Sequence, residues 1–381
     1  MNIMKPSPYR IAVFVLMISA GPGFALAQQP ALPLPDHIVV VIFENHNYPD
    51  IIGSSSAPNF NALATDDHSA LFTNYHAIEH PSQPNYFDLY AGCDQGVQDD
   101  AVPPNNPFTT VNLGRQLIDA GKTFITYSEG LPSVGYNGIT SGEYARKHNP
   151  VADWMGTGTN QVPTTTNQPY SAFPTDFTKL PTVCFVVPNL INDMHDGTIP
   201  QGDTWLSKNM NAYLQWSKTN NSLLVVTFDE DELTTGGQIL TIFAGQTVKP
   251  GQYSEWATHF SLLRTIEDMY GFTHPCHTDT AKTITDCWSP LSGVRSSGSM
   301  TTGVSFSCYP NPSQGTVTLT FAESGSVKTI QVFDVLGNKV QEAAARNRPT
   351  QTIELKNLPA GKYIVRVSDG KVSLSQSVIL N

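Results

Sequence analysis

The chain has 381 residues, of which 40% are hydrophobic and 14% charged, with 28 glycines, 28 prolines and a formal net charge of −11. That length allows two domains, and low charge with frequent Gly and Pro suits a loop-rich exported protein better than a cytosolic one. The acidic balance, without a Lys/Arg run anywhere, argues against nucleic-acid binding, which needs cations to neutralise phosphates.

The N-terminus reads as a leader. Lys5 and Arg10 precede an uncharged apolar run from Ile11 to Ala20, Gly21-Pro22-Gly23 breaks it, and Ala25-Leu26-Ala27 supplies a small-x-small cleavage site. This pattern predicts a signal peptide over residues 1–27, its apolar run too short to span a bilayer. With no later span, the mature chain is expected to be secreted or held at the outer cell surface, without a transmembrane segment.

From about Pro33 to Gly293, strand-like and helix-like stretches alternate. Apolar runs at 38–43, 124–127, 183–188, 222–230 and 239–245 read as strands, and 113–121, 203–218 and 259–271 read as helices. Continuous apolar strands alternating with amphipathic helices predict an α/β layered, mostly parallel sheet flanked by helices. Ligands in such a sheet sit at the carboxyl ends of the strands. Residues 33–293 form this first domain, and "VRSSGSMTTGVS" (294–305) reads as a Ser/Thr/Gly linker. Beyond it, "GTVTLTF", "TIQVFDV", "QTIELKN", "KYIVRVSDG" and "SLSQSVIL" alternate apolar and polar residues between turn residues, which predicts a small antiparallel β-sandwich over 306–381.

Five cysteines occur, none in a CxxC spacing, which argues against a structural zinc site. Cys276 and Cys287 flank a short polar loop, and export makes a disulfide between them an expectation. Cys184 lies in an apolar run and reads as a buried hydrophobe.

The chemistry-bearing residues gather where apolar runs end. Glu44, Asn45 and His46 follow the first strand; Asp193, His195 and Asp196 follow the strand ending at Val187; Asp229 and Glu230 close the strand before them. A parallel sheet lines such ends up. Converging carboxylates raise one another's pKa unless a cation sits between them. Oxygen-rich ligands favour Mg²⁺, Ca²⁺ or Mn²⁺, and a histidine in the set favours Zn²⁺. Ser82, in "EHPSQPNYFDLYAG", is the candidate nucleophile, and needs a base or metal contact to attack. If it begins a helix, the positive helix end also favours an anion there. His195 and His259 suit protonation of a leaving oxygen or binding of phosphate oxygens. His46, His80 and Asp203 read as supporting residues, and Glu129 as a pocket-wall residue.

Two resemblances organise these residues. "YPNPSQGTVTLTF", "VFDVLGNKV" and "LPAGKYIVRV", followed by a closing strand, resemble the type IX secretion sorting domain of bacteria, which implies that the tail is an export address read by that machinery. "ENHNYPDIIG", "HPSQPNYFDLYAG", "YARKHNP", "PNLINDMHDG", "FDEDE" and "THFSLLRTIEDMYG", in that order, resemble the bacterial acid phosphatase and phospholipase C family of phosphoesterases, in the alkaline-phosphatase-like superfamily. The second resemblance implies that Glu44, Asn45, Asp229 and Glu230 hold a divalent metal, with Asp193 as a further ligand. It implies that Ser82 becomes phosphorylated, that Lys147, His148 and Asn45 reach the substrate phosphate, that His195 stands where related enzymes place a further metal or phosphate ligand, and that His259 lies near the phosphate or a second metal. Where two-zinc members carry Asp-His after the fourth strand, this chain has Asp229-Glu230, which favours one metal. The expectation is a secreted, metal-dependent phosphomonoesterase of the acid phosphatase kind acting through a phosphoserine. The alternatives are a phospholipase C-type phosphodiesterase and an inactive surface binding protein; the latter would show missing ligands, and no acidic position is lost.

Overall fold

The computed structural model describes residues 32–289 and, in the tail, 306–311, 313–321, 329–334, 338–344, 348, 350–368 and 373–380. The expected leader (1–27) and linker (294–305) lie outside the described residues.

In chain order the strands of the first part are β1 (His37–Phe43), β2 (Ser69–Phe72), β3 (Tyr75–His76), β4 (Phe124–Ser128), β5 (Thr140–Ser141), β6 (Tyr144–Ala145), β7 (Asn167–Pro169), β8 (Val183–Val187), β9 (Ser222–Phe228), β10 (Thr241–Gly245), β11 (Gly251–Tyr253) and β12 (Ala257–Thr258). The helices are α1 (Tyr48–Ile51), α2 (Pro58–Ala64), α3 (Ser82–Ala91), α4 (Leu113–Asp119), α5 (Ile199–Ser217) and α6 (His259–Tyr270). One eight-stranded sheet runs in the order β11-β2-β10-β9-β1-β8-β4-β7. Strands β9, β1, β8, β4 and β7 are parallel, whereas β10 runs against both β9 and β2. The sheet is therefore mixed, with a parallel centre. Val/Ile/Leu-rich β1, β8 and β9 are buried along their length save for His37, as strands covered by helices on both faces must be.

Helix α5 starts four residues earlier than the periodicity predicts. Thr198 and Gln201 form a reciprocal capping box, and Pro200 sits in the first turn, where its missing N–H costs nothing. Helix α3 shows little amphipathic signal because all ten of its residues are buried. It packs against α6 while α2 packs against α5.

The disulfide joins Cys93 to Cys276, not Cys276 to Cys287. Cys93 follows Gly92, which ends α3 at φ 77°. A β-carbon at Gly92 would lie 2.8 Å from the Pro275 carbonyl oxygen, so this close approach requires glycine. The bond thus ties the end of α3 to the turn beyond α6. Cys287 is instead a buried free thiol beside Trp288, and Cys184 is buried in β8.

The tail contributes β13 (Phe306–Tyr309), β14 (Thr316–Phe321), β15 (Thr329–Phe333), β16 (Lys339–Ala344), β17 (Thr350–Glu354), β18 (Gly361–Ser368) and β19 (Ser373–Leu380). They form two antiparallel sheets, β13-β14-β17 and β16-β15-β18-β19. Val317, Leu319, Ile330, Val332, Val365 and Val378 belong to a separate apolar core. Strand β16 escapes the sequence pattern because it is an edge strand with no fully buried residue. No helix among the described residues is long and apolar enough to cross a membrane.

Candidate active site

Register builds the site. Phe43 of β1 lies opposite Phe228 of β9, so the next residue on each strand, Glu44 and Asp229, emerge side by side at the carboxyl edge. The Asp229 N–H donates to the Phe43 carbonyl (3.0 Å), and the Asn45 N–H donates to Asp229 Oδ1 (3.1 Å). From the other flank, the loop after β8 is stitched in by the Glu44 N–H, which donates to the Asp193 carbonyl (2.9 Å). Asn45 and Met194 adopt left-handed φ angles of 40° and 83°. Non-glycine residues rarely do so, and such strain clusters at functional sites.

Ser82 opens α3 and is 1% exposed. Its hydroxyl lies 3.1 Å from Glu44 Oε2 and 3.2 Å from Glu230 Oε1, sharing its proton between them. One turn further along the helix, the Tyr86 hydroxyl donates to Glu44 Oε1. The Asn85 side chain accepts from the N–H groups of Ile78 (3.0 Å) and Glu79 (3.2 Å), which fixes the loop leading into Ser82.

The basic residues divide. His148 is buried, with Nε2 3.3 Å from Glu44 Oε2 and Nδ1 3.3 Å from Asp193 Oδ2; its ring stacks on Tyr86. It faces the carboxylates, where a phosphate-binding role was expected of it. Lys147 lies 2.9 Å from Asp100 Oδ2 and 3.1 Å from His195 Nε2. His195 is half-buried, held through its N–H to Asp193 Oδ1 (2.8 Å) and through Nδ1 to Asp196 Oδ1 (2.7 Å). His259 departs from the leaving-group role expected of it. Its ring is buried, with Nε2 2.7 Å from the Asp229 carbonyl oxygen and Nδ1 3.4 Å from the Tyr75 hydroxyl. As the first residue of α6, it props the backbone behind Asp229. His80, read as a supporting residue, makes a closer approach: Nδ1 is 2.8 Å from Glu230 Oε2 and Nε2 is 3.0 Å from Asp231 Oδ1. Tyr86 escaped the sequence reading altogether. Its spacing of four from Ser82, one helical turn on the same face, was the available signal. Glu129 braces the 189–192 loop by accepting from the N–H of Asn189 and the side chain of Asn192.

Burial dominates the electrostatics. It pushes the Glu44 carboxyl well up, with the Asp229 and Asp193 charges adding to it. Burial likewise raises Asp229, and takes Asp193 to about 8. Glu230 also rises to about 8, through burial and then the Asp229 charge. His148 falls to about 3 for the same reason, with Lys147 nearby, and so presents a neutral ring. Asn45 Oδ1 and Asp229 Oδ2 are buried without a hydrogen-bond partner, and Asp193 Oδ2 and His148 Nε2 make no hydrogen bond beyond the 3.3 Å approaches above. Buried polar atoms are normally satisfied, and exceptions point to an ion or to function. Glu44, His148 and Asp193 each offer a donor atom within 4.8 Å of the others. Carboxylate and amide oxygens with one imidazole nitrogen are donors that divalent cations accept, so these residues fit such an ion. The Glu230 carboxylate turns instead to Ser82 and His80.

Fold and site together define a class: an α/β enzyme with acids and a hydroxyl converging at the carboxyl edge of its sheet. Residues 56–273 match the model of the Phosphoesterase family, and residues 307–381 that of the secretion system C-terminal sorting domain. The chain is 45% identical over 273 residues to a phosphatidylinositol-3-phosphatase of Mycobacterium tuberculosis, covering 71% of this chain and 88% of that one. It is 28% identical over 249 residues to an acid phosphatase of Aspergillus fumigatus, covering 61% of this chain and spanning 54% of the fungal protein. Among solved structures, a protein of the alkaline phosphatase superfamily from Vibrio parahaemolyticus aligns with a TM-score of 0.47 and 11% identity over 93% of this chain and 84% of that one. The chain belongs to the Phosphoesterase family. It is a phosphoric ester hydrolase whose C-terminal sorting domain marks it for secretion or surface export.

Proposed function

We propose that this protein is an exported, metal-dependent phosphomonoesterase that works through a phosphoserine at Ser82. The observation that carries the reading is the Ser82 hydroxyl, 3.1 Å and 3.2 Å from two buried carboxylates, beside unpartnered buried donor atoms. Glu44, Asp193, Asp229 and His148 would hold the divalent cation, with the Asn45 amide oxygen completing the set. A bound cation supplies electrostatic stabilisation, offsetting the crowded carboxylates and the charge on the phosphoryl oxygens.

The chain's own groups account for the rest. Ser82 Oγ attacks phosphorus in line and passes its proton to Glu230, whose Oε1 lies 3.2 Å away. His80, fixed by Asp231, holds that carboxylate in place. Lys147 binds a phosphoryl oxygen. His195, at the edge of the site, protonates the departing alkoxide as the bond from phosphorus to the ester oxygen breaks. Water then hydrolyses the phosphoserine. Residues 33–293 form the catalytic unit, the signal peptide 1–27 is removed on export, and 306–381 is the address for the type IX machinery.

The test compares 4-nitrophenyl phosphate with bis(4-nitrophenyl) phosphate. The expected kcat/KM for the monoester is about a hundredfold higher or more, because an enclosed anionic-phosphate site discriminates through groups left unpaired by the extra ester. A preference for the diester would replace this reading with the phosphodiesterase.

A further inference from the structure

The residue after the nucleophile grips a distant turn. Gln83 is 1% exposed and spends all its donors on residues 99–101. Its side-chain Nε2 donates to the Asp99 carbonyl (3.0 Å) and the Ala101 carbonyl (2.7 Å), and its backbone N–H donates to Asp100 Oδ1 (3.1 Å). The turn is braced from within by the Ala101 N–H, which donates to Asp99 Oδ1 (3.0 Å). The other oxygen of Asp100, Oδ2, receives the Lys147 ammonium at 2.9 Å.

One carboxylate therefore touches both groups that are to act on the same phosphoryl group: one oxygen on the helix that starts with Ser82, the other on Lys147. Among the described residues, Asp100 is the only ion-pair partner of that lysine. A lysine ammonium rides on a flexible four-carbon stem, and ordering such a side chain on binding costs affinity. An ammonium fixed beforehand avoids that cost. Charge alone acts in the opposite sense, because a carboxylate beside a phosphate site repels the incoming anion. Asp100 also serves α3 itself, whose N-cap residue Pro81 offers no side-chain hydrogen bond, since a negative group suits a helix N-terminus. Positioning, repulsion and capping predict different outcomes when the charge is removed.

We propose that Asp100 is a positioning residue: clamped to the nucleophile's helix by Gln83, it aims the Lys147 ammonium at the phosphoryl group that Ser82 attacks. The proposal rests on the phosphomonoesterase reading above, in which Lys147 binds a phosphoryl oxygen, and adds the residue that sets the lysine in place.

A double-mutant cycle tests it. The Kd for inorganic phosphate is measured by titration calorimetry on the wild type, Asp100→Asn, Lys147→Ala and the double variant, with kcat and KM on 4-nitrophenyl phosphate alongside. Asparagine keeps the shape of Asp100 and an oxygen for the Gln83 N–H, and Kd and KM do not depend on the fraction of protein that is folded. Asp100→Asn is expected to raise Kd and KM about tenfold. It is expected to change kcat by less than about threefold, because the lysine contact is made in the ground and transition states alike. In the Lys147→Ala background the same substitution is expected to raise Kd no further. An equal rise in both backgrounds, as from a cap that only supports α3, overturns the proposal. Tighter phosphate binding in Asp100→Asn, the result of relieved repulsion, overturns it too, as does an unchanged Kd. An unchanged Kd in Lys147→Ala removes the lysine from phosphate binding and overturns the clamp with it. All of these leave the phosphatase standing, whereas failure of the wild type on every monoester overturns the phosphomonoesterase itself.

Discussion

Ser82→Ala is expected to lower kcat on 4-nitrophenyl phosphate by about 10⁴-fold or more, the scale seen when a covalent nucleophile is removed. The fold should survive. Alanine keeps the helical backbone, and of the two carboxylates to which the lost hydroxyl donates, Glu44 keeps the cation and Glu230 keeps its contact with His80. A net change of about 1 kcal/mol, the usual worth of a hydrogen bond, is the expected stability cost. Binding of inorganic phosphate should persist, because Lys147 and the cation site are untouched. Melting temperature and phosphate titration therefore separate loss of the nucleophile from loss of the structure. Near-normal turnover in a folded Ser82→Ala protein would remove this serine from the chemistry.

Removing the metal is expected to have the second largest effect. Exhaustive chelation followed by gel filtration should reduce activity about 10³-fold or more, since a bound cation supplies several kcal/mol of charge stabilisation, and a divalent ion should restore it. The metal-free protein should also acquire a pH-dependent stability. Asp193 and Glu230 titrate near 8 in the folded chain, against about 4 for exposed carboxyls. Between those values the folded state binds more protons than the unfolded state. The contribution of these two carboxyls is therefore fully present below about pH 4, falls as pH rises and is lost above about pH 8; below about pH 6.5 it is opposed by His148, whose buried ring is held neutral in the folded chain. Each kcal/mol lost lowers the melting temperature by about 2–4 °C in a domain of this size. Adding the cation should flatten that fall, because it favours the charged carboxylates. Thermal melts across pH 5–8, with and without the ion, measure both effects. Full activity after chelation, or a pH profile insensitive to the ion, would count against the cation site.

Much of the fold was legible because its central strands are unbroken apolar runs. Val39–Ile42, Val183–Val187 and Leu223–Val226 can only be buried, and burial on both faces implies a parallel, helix-covered sheet. The meeting of Glu44 with Asp229 follows from that arrangement, since each residue directly succeeds its strand. The peripheral strands were harder to see. Ser69–Phe72 and Gly251–Tyr253 are too short to show a period, and Lys339–Ala344 lies at a solvent-facing edge. Side-chain direction was not legible at all. Whether His148 turns to the carboxylates or to the substrate depends on a single 3₁₀ turn at Arg146–His148. His259 looked catalytic because it stands at a helix start, yet that start points under Asp229. The Cys93–Cys276 bond joins residues 183 apart in sequence, and only the packing of α3 on α6 reveals it.

The central claim is that the Ser82 hydroxyl, set among buried carboxylates, takes up the phosphoryl group of the substrate. Acid quenching during steady turnover, followed by proteolysis and mass spectrometry of the peptide spanning residues 78–91, tests it most directly. A phosphate on Ser82 that forms with substrate and disappears when substrate is exhausted is the expected result. An unmodified Ser82 in an enzyme caught at full turnover, or a phosphate carried by another residue, would contradict the account.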